Sequence, residues 1–164
     1  MKSENKIKEA NNFSSGFYDW AIFLINFYQR VNKKLGIDFD SFVILQVVAS
    51  YNVYLLNKNK EVSLELLSFE FEKSSNSEVL NTPKLTVTSI ASSLGIPRET
   101  VKRKVLGLQN KKLLEINPNN AIQLGKNYTI NFSEFATGTT LDLARLMQRW
   151  DSKDFLTKLI NLKI

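Results

Sequence analysis

Apolar residues recur at helical spacing from Ser15 to Leu35, with Phe17, Trp20, Ala21, Leu24, Phe27, Tyr28 and Val31 on one side. Gly36 is placed to stop that helix. Asp40 or Ser41 is placed to cap a second helix, from Phe42 to Leu56, apolar on most sides and so expected to be buried. Asn57–Lys60 breaks the pattern. Val62–Phe71 mixes Leu, Phe and Glu and fits either a helix or a strand, and Lys73–Pro83 reads as a polar loop. Leu85–Leu108 predicts two short helices around Gly95-Ile96-Pro97. Leu113–Ile116 and Ala121–Leu124 predict strands joined by the turn-forming run Asn117-Pro118-Asn119-Asn120. The alternation of Tyr128, Ile130 and Phe132 predicts a third short strand. Thr139 or Thr140 is placed to cap a C-terminal helix through Trp150. Ser152 is placed to start another, with Phe155, Leu156, Leu159 and Ile160 on one side. The expected fold class is mainly α with one small β-hairpin and flanking N- and C-terminal helices.

Composition narrows the chemistry. The 164 residues include no cysteine and no histidine. Disulfides, thiol catalysis and the commonest metal ligand are thereby excluded, as is the side chain that titrates near neutral pH. Asp151 and Asp154 stand three residues apart, but a capping role at a helix start explains them as well as paired carboxylates would. No phosphate-cradling glycine loop is present, because the six glycines are scattered. The expectation is a protein that is not an enzyme and uses neither cofactor nor metal.

Charge adds a location. The net charge is +6. Residues 84–126 hold eight Lys or Arg against two Glu, which is +6 in that stretch alone, whereas residues 61–83 carry −4. A basic stretch beside an acidic one marks an anion-binding surface more sharply than the total does. The N-terminus lacks the apolar core of a signal peptide. The apolar stretches Trp20–Tyr28 and Phe42–Leu56 fall short of the roughly 20 residues of a spanning helix. A cytoplasmic protein without a membrane partner is expected.

The basic stretch contains an informative pattern, Val87 to Val101. Ala91 is small, which would let a second helix cross close over the first. Gly95 suits the left-handed turn after the first helix. Ile90, Leu94, Ile96 and Val101 fill the wedge between the helices, and Pro97 fits a helix start. Val101, Val105 and Leu108 continue the buried stripe. Measured from Val101 at 100° per residue, Glu99, Arg103 and Leu106 lie roughly 160°, 200° and 140° away and face outward. Lys102 flanks them, and Arg98 sits near the tip. Lys104 has a stem able to pack while its ammonium reaches water or phosphate. Leu106 is expected to cover a neighbouring element or, alternatively, to touch a thymine methyl.

This stretch resembles a helix-turn-helix, and with the hairpin behind it a winged helix-turn-helix. The run Arg98-Glu99-Thr100-Val101 is similar to recognition helices of catabolite-activator-type regulators. The order of elements resembles MarR-type regulators, with Asn117–Asn120 in place of their Asp-x-Arg wing signature. The resemblance implies a sequence-specific transcriptional regulator that reads the major groove of double-stranded DNA with helix 97–110. It implies base reading by Arg98, Glu99 and Arg103. It places Thr88, Thr100, Lys102, Lys104 and the wing residues Asn119, Asn120 and Lys126 at the DNA. The organisation it implies is an N-terminal helical region (1–60), an acidic insertion (61–83), the winged helix-turn-helix (84–132) and a C-terminal helical region (133–164).

Other readings stay open. The same fold serves protein contacts, or a replication initiator or accessory factor, with the outward charges then a solvated face. Eleven of the eighteen aromatic residues precede residue 55. They are expected in a core and a homodimer interface, with enclosure of a small apolar effector as the alternative. Leu143, Leu146, Met147, Trp150, Phe155 and Leu159 read as a second part of the dimerising surface.

Overall fold

A computed structural model of the chain describes the backbone of residues 2–59 and 84–162, and the side chains of 14–55 and 84–162. The expectations for Val62–Phe71, Lys73–Pro83 and the acidic insertion lie outside the described residues. Those residues form six α-helices and one two-stranded hairpin: α1 (Lys2–Arg30), α2 (Phe39–Asn59), α3 (Val87–Leu94), α4 (Arg98–Asn110), β1 (Leu114–Ile116), β2 (Ile122–Leu124), α5 (Tyr128–Ser152) and α6 (Phe155–Ile160). A π-helical turn, Val31–Leu35, follows α1, and Gly36 ends it with φ +61°. No helix among the described residues is long and apolar enough to cross a membrane. The chain divides into two compact units, residues 1–34 with 134–164, and residues 35–133.

In the unit of residues 35–133, α2 packs against α3, α4 and β2. Its buried residues Phe42, Ile44, Leu45, Val48 and Ala49 meet a core that includes Ile90, Val101, Val105, Leu108 and Leu114. Asp38 rather than Asp40 or Ser41 caps α2. Its Oδ1 accepts the Ser41 backbone N–H at 2.8 Å, so the helix starts at Phe39. The helix also runs through Asn57–Asn59, past the polar break expected there. The hairpin strands are antiparallel, pairing Leu114 with Leu124, Glu115 with Gln123 and Ile116 with Ile122. The Ile122 N–H also donates to the Leu85 carbonyl at 2.8 Å, which ties the approach to α3 onto β2.

The joint between α4 and β1 passes through Lys112, whose φ is +59°. Gly125 closes the far end of the hairpin against that joint. Its N–H donates to the Leu113 carbonyl at 2.9 Å, and a Cβ at residue 125 would lie 2.4 Å from the Lys112 carbonyl oxygen. Only glycine permits so close an approach.

The third strand expected at Tyr128–Phe132 is instead the first turn of α5. Tyr128, Phe132 and Phe135 recur at i, i+4 and i+7, and the helical stripe overrides a two-step alternation. Tyr128 and Phe135 are buried while Ile130 is 72% exposed, as helical periodicity requires. Tyr128 stacks on Phe132 with ring centroids 4.9 Å apart. Burial pushes the Tyr128 phenol pKa well above its ordinary value.

The other unit contains α1, most of α5, and α6. Neither Thr139 nor Thr140 starts a helix, because α5 is already under way. The Thr139 hydroxyl donates back to the Phe135 carbonyl at 2.8 Å. Arg30 donates to Thr139 Oγ1 at 3.2 Å and pairs with Asp142. Buried Asp19 receives Lys153 Nζ at 2.8 Å, and the Trp150 indole N–H donates to the Gly16 carbonyl at 3.2 Å. Phe27 meets Phe135 edge-on at 5.7 Å. Ser152 closes the last turn of α5, its hydroxyl on the Arg149 carbonyl, rather than opening the next helix. Asp154 precedes α6 at φ +58° without a side-chain cap, so its expected capping role is not found.

Candidate nucleic-acid interface

The candidate site is built on α3, α4 and the hairpin. Thr86 starts α3 through a reciprocal pair. Its Oγ1 accepts the Ser89 N–H at 3.2 Å, and Ser89 Oγ accepts the Thr86 N–H at 2.8 Å. Gly95 ends α3 at φ +64°, and the Ile96 N–H returns to the Ala91 carbonyl at 3.2 Å. That left-handed step turns the chain within three residues. Pro97 then precedes α4, where its missing N–H leaves nothing unsatisfied. The observed helix begins at Arg98 and ends at Asn110.

α4 has a buried side of Val101, Val105 and Leu108. Arg98, Glu99, Lys102 and Arg103 are exposed, and Thr100 is half-buried. Arg98 and Glu99 lie 3.8 Å apart at the helix tip, with side chains 65% and 77% exposed. At that exposure the pair is loosely held and either member is available to another partner. Leu106 stays 45% exposed rather than covered by a neighbour. Thr88 is exposed on α3.

The hairpin tip holds itself together with asparagines. The Asn117 N–H donates to the Ala121 carbonyl at 2.9 Å, and Asn120 takes φ +62°. Asn119 Oδ1 accepts the Ala121 N–H at 3.1 Å, and Asn117 Nδ2 donates to Gln123 Oε1 at 3.1 Å. Asn119 therefore shapes the tip with its side-chain carbonyl, and Asn119, Asn120 and Lys126 are all exposed.

Lys104 sits differently from the other basic residues of α4. Its ammonium lies 2.5 Å from Asp38 Oδ2, on the residue that caps α2. Partial burial pushes the Asp38 carboxyl up, but hydrogen bonds from Lys104 and Ser41 outweigh it and hold the carboxyl below its ordinary range. A groove of about 370 Å³ opens beside this pair, between the start of α2 and α4. Gly36, Asp38, Arg103, Lys104, Gly107 and Lys111 line it. Sequence reasoning missed Asp38 and Gly107. A glycine inside an otherwise good helix was the available signal for Gly107.

Among the described residues, no group of three or more acidic side chains is placed to hold a metal ion. No protein-family model, curated protein or solved structure matches the chain.

Proposed function

We propose that residues 84–132 act as a winged helix-turn-helix and that the protein is a dimeric, sequence-specific transcriptional regulator of double-stranded DNA, similar to MarR regulators in element order. In this reading α4 enters the major groove. Arg98 and Arg103 bond guanine edges, Glu99 accepts from cytosine, and Lys102, Asn120 and Lys126 hold phosphates.

One observation carries the reading. α4 follows a tight turn, precedes a hairpin, and exposes Arg98, Glu99, Lys102 and Arg103 away from buried Val101, Val105 and Leu108. The positive charge of residues 84–126 supports it. Dimerisation is supported by exposed apolar side chains in the unit of α1, α5 and α6. Phe17, Leu24 and Tyr28 recur along α1 at i, i+7 and i+11, and Leu141, Leu143 and Met147 are exposed on α5. A two-fold dimer would present two α4 helices to major grooves about one helical turn apart.

Selection from random duplexes, followed by footprinting, tests the function. The expected result is a two-fold-symmetric site whose preference is relaxed by R98A/R103A. Absence of any selected duplex, or an unchanged preference in that double variant, would overturn the reading.

A further inference from the structure

Gly107 of α4 is a residue to which the fold gives no internal role. It lies inside the helix and is exposed. A Cβ there would meet no heavy atom within 4 Å, so alanine would fit. Alanine is also the better helix former. Internal packing and backbone conformation therefore give no reason for glycine, and the space above it is open to an approach from outside.

The surroundings specify what approaches. Gly107 borders the groove between α4 and the start of α2. Arg103, Gly107 and Lys111 follow one another at i, i+4 and i+8, so they share a face over roughly 12 Å of helix. Lys104 is engaged by Asp38, and those charges offset each other. Arg103 and Lys111 form no ion pair with another described residue, and these two cations flank the notch at Gly107. The Lys111 ammonium leans across the groove, 3.8 Å from where a Gly36 Cβ would stand. Arg103 marks the rim where the outward face of α4 gives way to the groove.

We propose that a sugar–phosphate strand of duplex DNA passes directly over Gly107, close enough that a Cβ would obstruct it, with Lys111 holding a phosphate beside it. The proposal rests on the DNA-binding reading and adds the docking register of α4. The cationic, open groove matches a continuous polyanion, and the missing Cβ leaves room for its close approach.

The test uses the full chain, its selected duplex and a scrambled duplex, with binding read by fluorescence anisotropy across salt concentrations. G107A is expected to melt at the same temperature or higher, yet to bind both duplexes roughly tenfold more weakly. K111A is expected to reduce the slope of log K against log salt by about 0.9, the release expected for one phosphate contact. A G107A protein that binds like the parent, or a K111A protein with an unchanged slope, would overturn the docking register and leave the DNA-binding reading intact. A lower melting temperature for G107A would also overturn it, by showing that glycine answers an internal need. If the parent protein selects no duplex, the function itself fails and the register with it.

Discussion

Asp38 joins the start of α2 to the middle of α4 through Lys104. One carboxylate oxygen takes the Ser41 backbone N–H at 2.8 Å and the other takes the Lys104 ammonium at 2.5 Å. A single side chain thus caps one helix and clamps another. Replacing it separates the two roles. D38A loses both, and loss of an N-cap costs about 1 kcal/mol. D38N keeps a capping oxygen and loses only the ion pair, which at a half-exposed site contributes about 0–1 kcal/mol. Urea unfolding should rank the proteins parent, D38N, D38A. Equal loss in both variants would mean that capping contributes nothing.

Acid should weaken the fold through two carboxyls. Asp38 is held below its ordinary range as described. Asp142 is held low chiefly by its hydrogen bond from Arg30, with burial opposing and Arg145 assisting. In both, the folded state keeps its charge where the unfolded chain would take up a proton. The stability they contribute is complete above the unfolded carboxylate value of about 3.9 and is lost as pH falls through the lower folded values. Urea midpoints should therefore hold level from neutral pH down to about 5 and decline below about 4. D142N should flatten that decline. A midpoint that falls equally in D142N would assign the acid sensitivity elsewhere.

Gly125 should tolerate nothing larger. A Cβ there would stand 2.4 Å from the Lys112 carbonyl oxygen, a backbone atom with little room to move. G125A is expected to lose about 1–3 kcal/mol, the usual range for overpacking. Amide signals of Lys112, Leu113 and Gly125 should shift with it, while those of α6 stay in place. An unperturbed hairpin spectrum would refute the close approach.

The apolar stripe on α1 makes a prediction about assembly. Phe17 is 70% exposed and Tyr28 is 53% exposed. Burying such a side chain contributes about 1.5–3 kcal/mol, so charging two of them should split a dimer. Sedimentation equilibrium should find the parent as a dimer and F17D/Y28D as a monomer with weakened DNA affinity. A parent that sediments as a monomer would remove the two-fold docking scheme.

Lys102 distinguishes phosphate contact from base contact. K102A should weaken selected and scrambled duplexes alike and reduce the salt slope by about 0.9. R103A should instead lower discrimination at one base pair, by about 1–3 kcal/mol. Anisotropy titrations on single-base variants of the site separate these outcomes.

Much of this arrangement was legible in the chain. The stop at Gly95, the start after Pro97 and the stripe of Val101, Val105 and Leu108 are local signals, and each fixes a backbone choice within one turn. The asparagine run likewise defined the hairpin tip. What escaped was non-local or ambiguous at short range. Tyr128, Ile130 and Phe132 alternate over only five residues, and Phe135 is needed to see the helix. Asp38 lies two residues before the nearer expected cap, Asp40, and its link to Lys104 spans 66 residues. The grouping of residues 1–34 with 134–164 depends on contacts such as Trp150 with Gly16, which no local spacing announces.

The joint after α4 carries a consequence for how this chain can change. Lys112 occupies a left-handed conformation in which a side chain is disfavoured by about 1–2 kcal/mol. Glycine is the usual occupant of such a position after a helix. The chain therefore holds an unclaimed reserve of stability at a single residue. A glycine at that position would recover part of it, enough to offset a mild destabilising change elsewhere in the same unit.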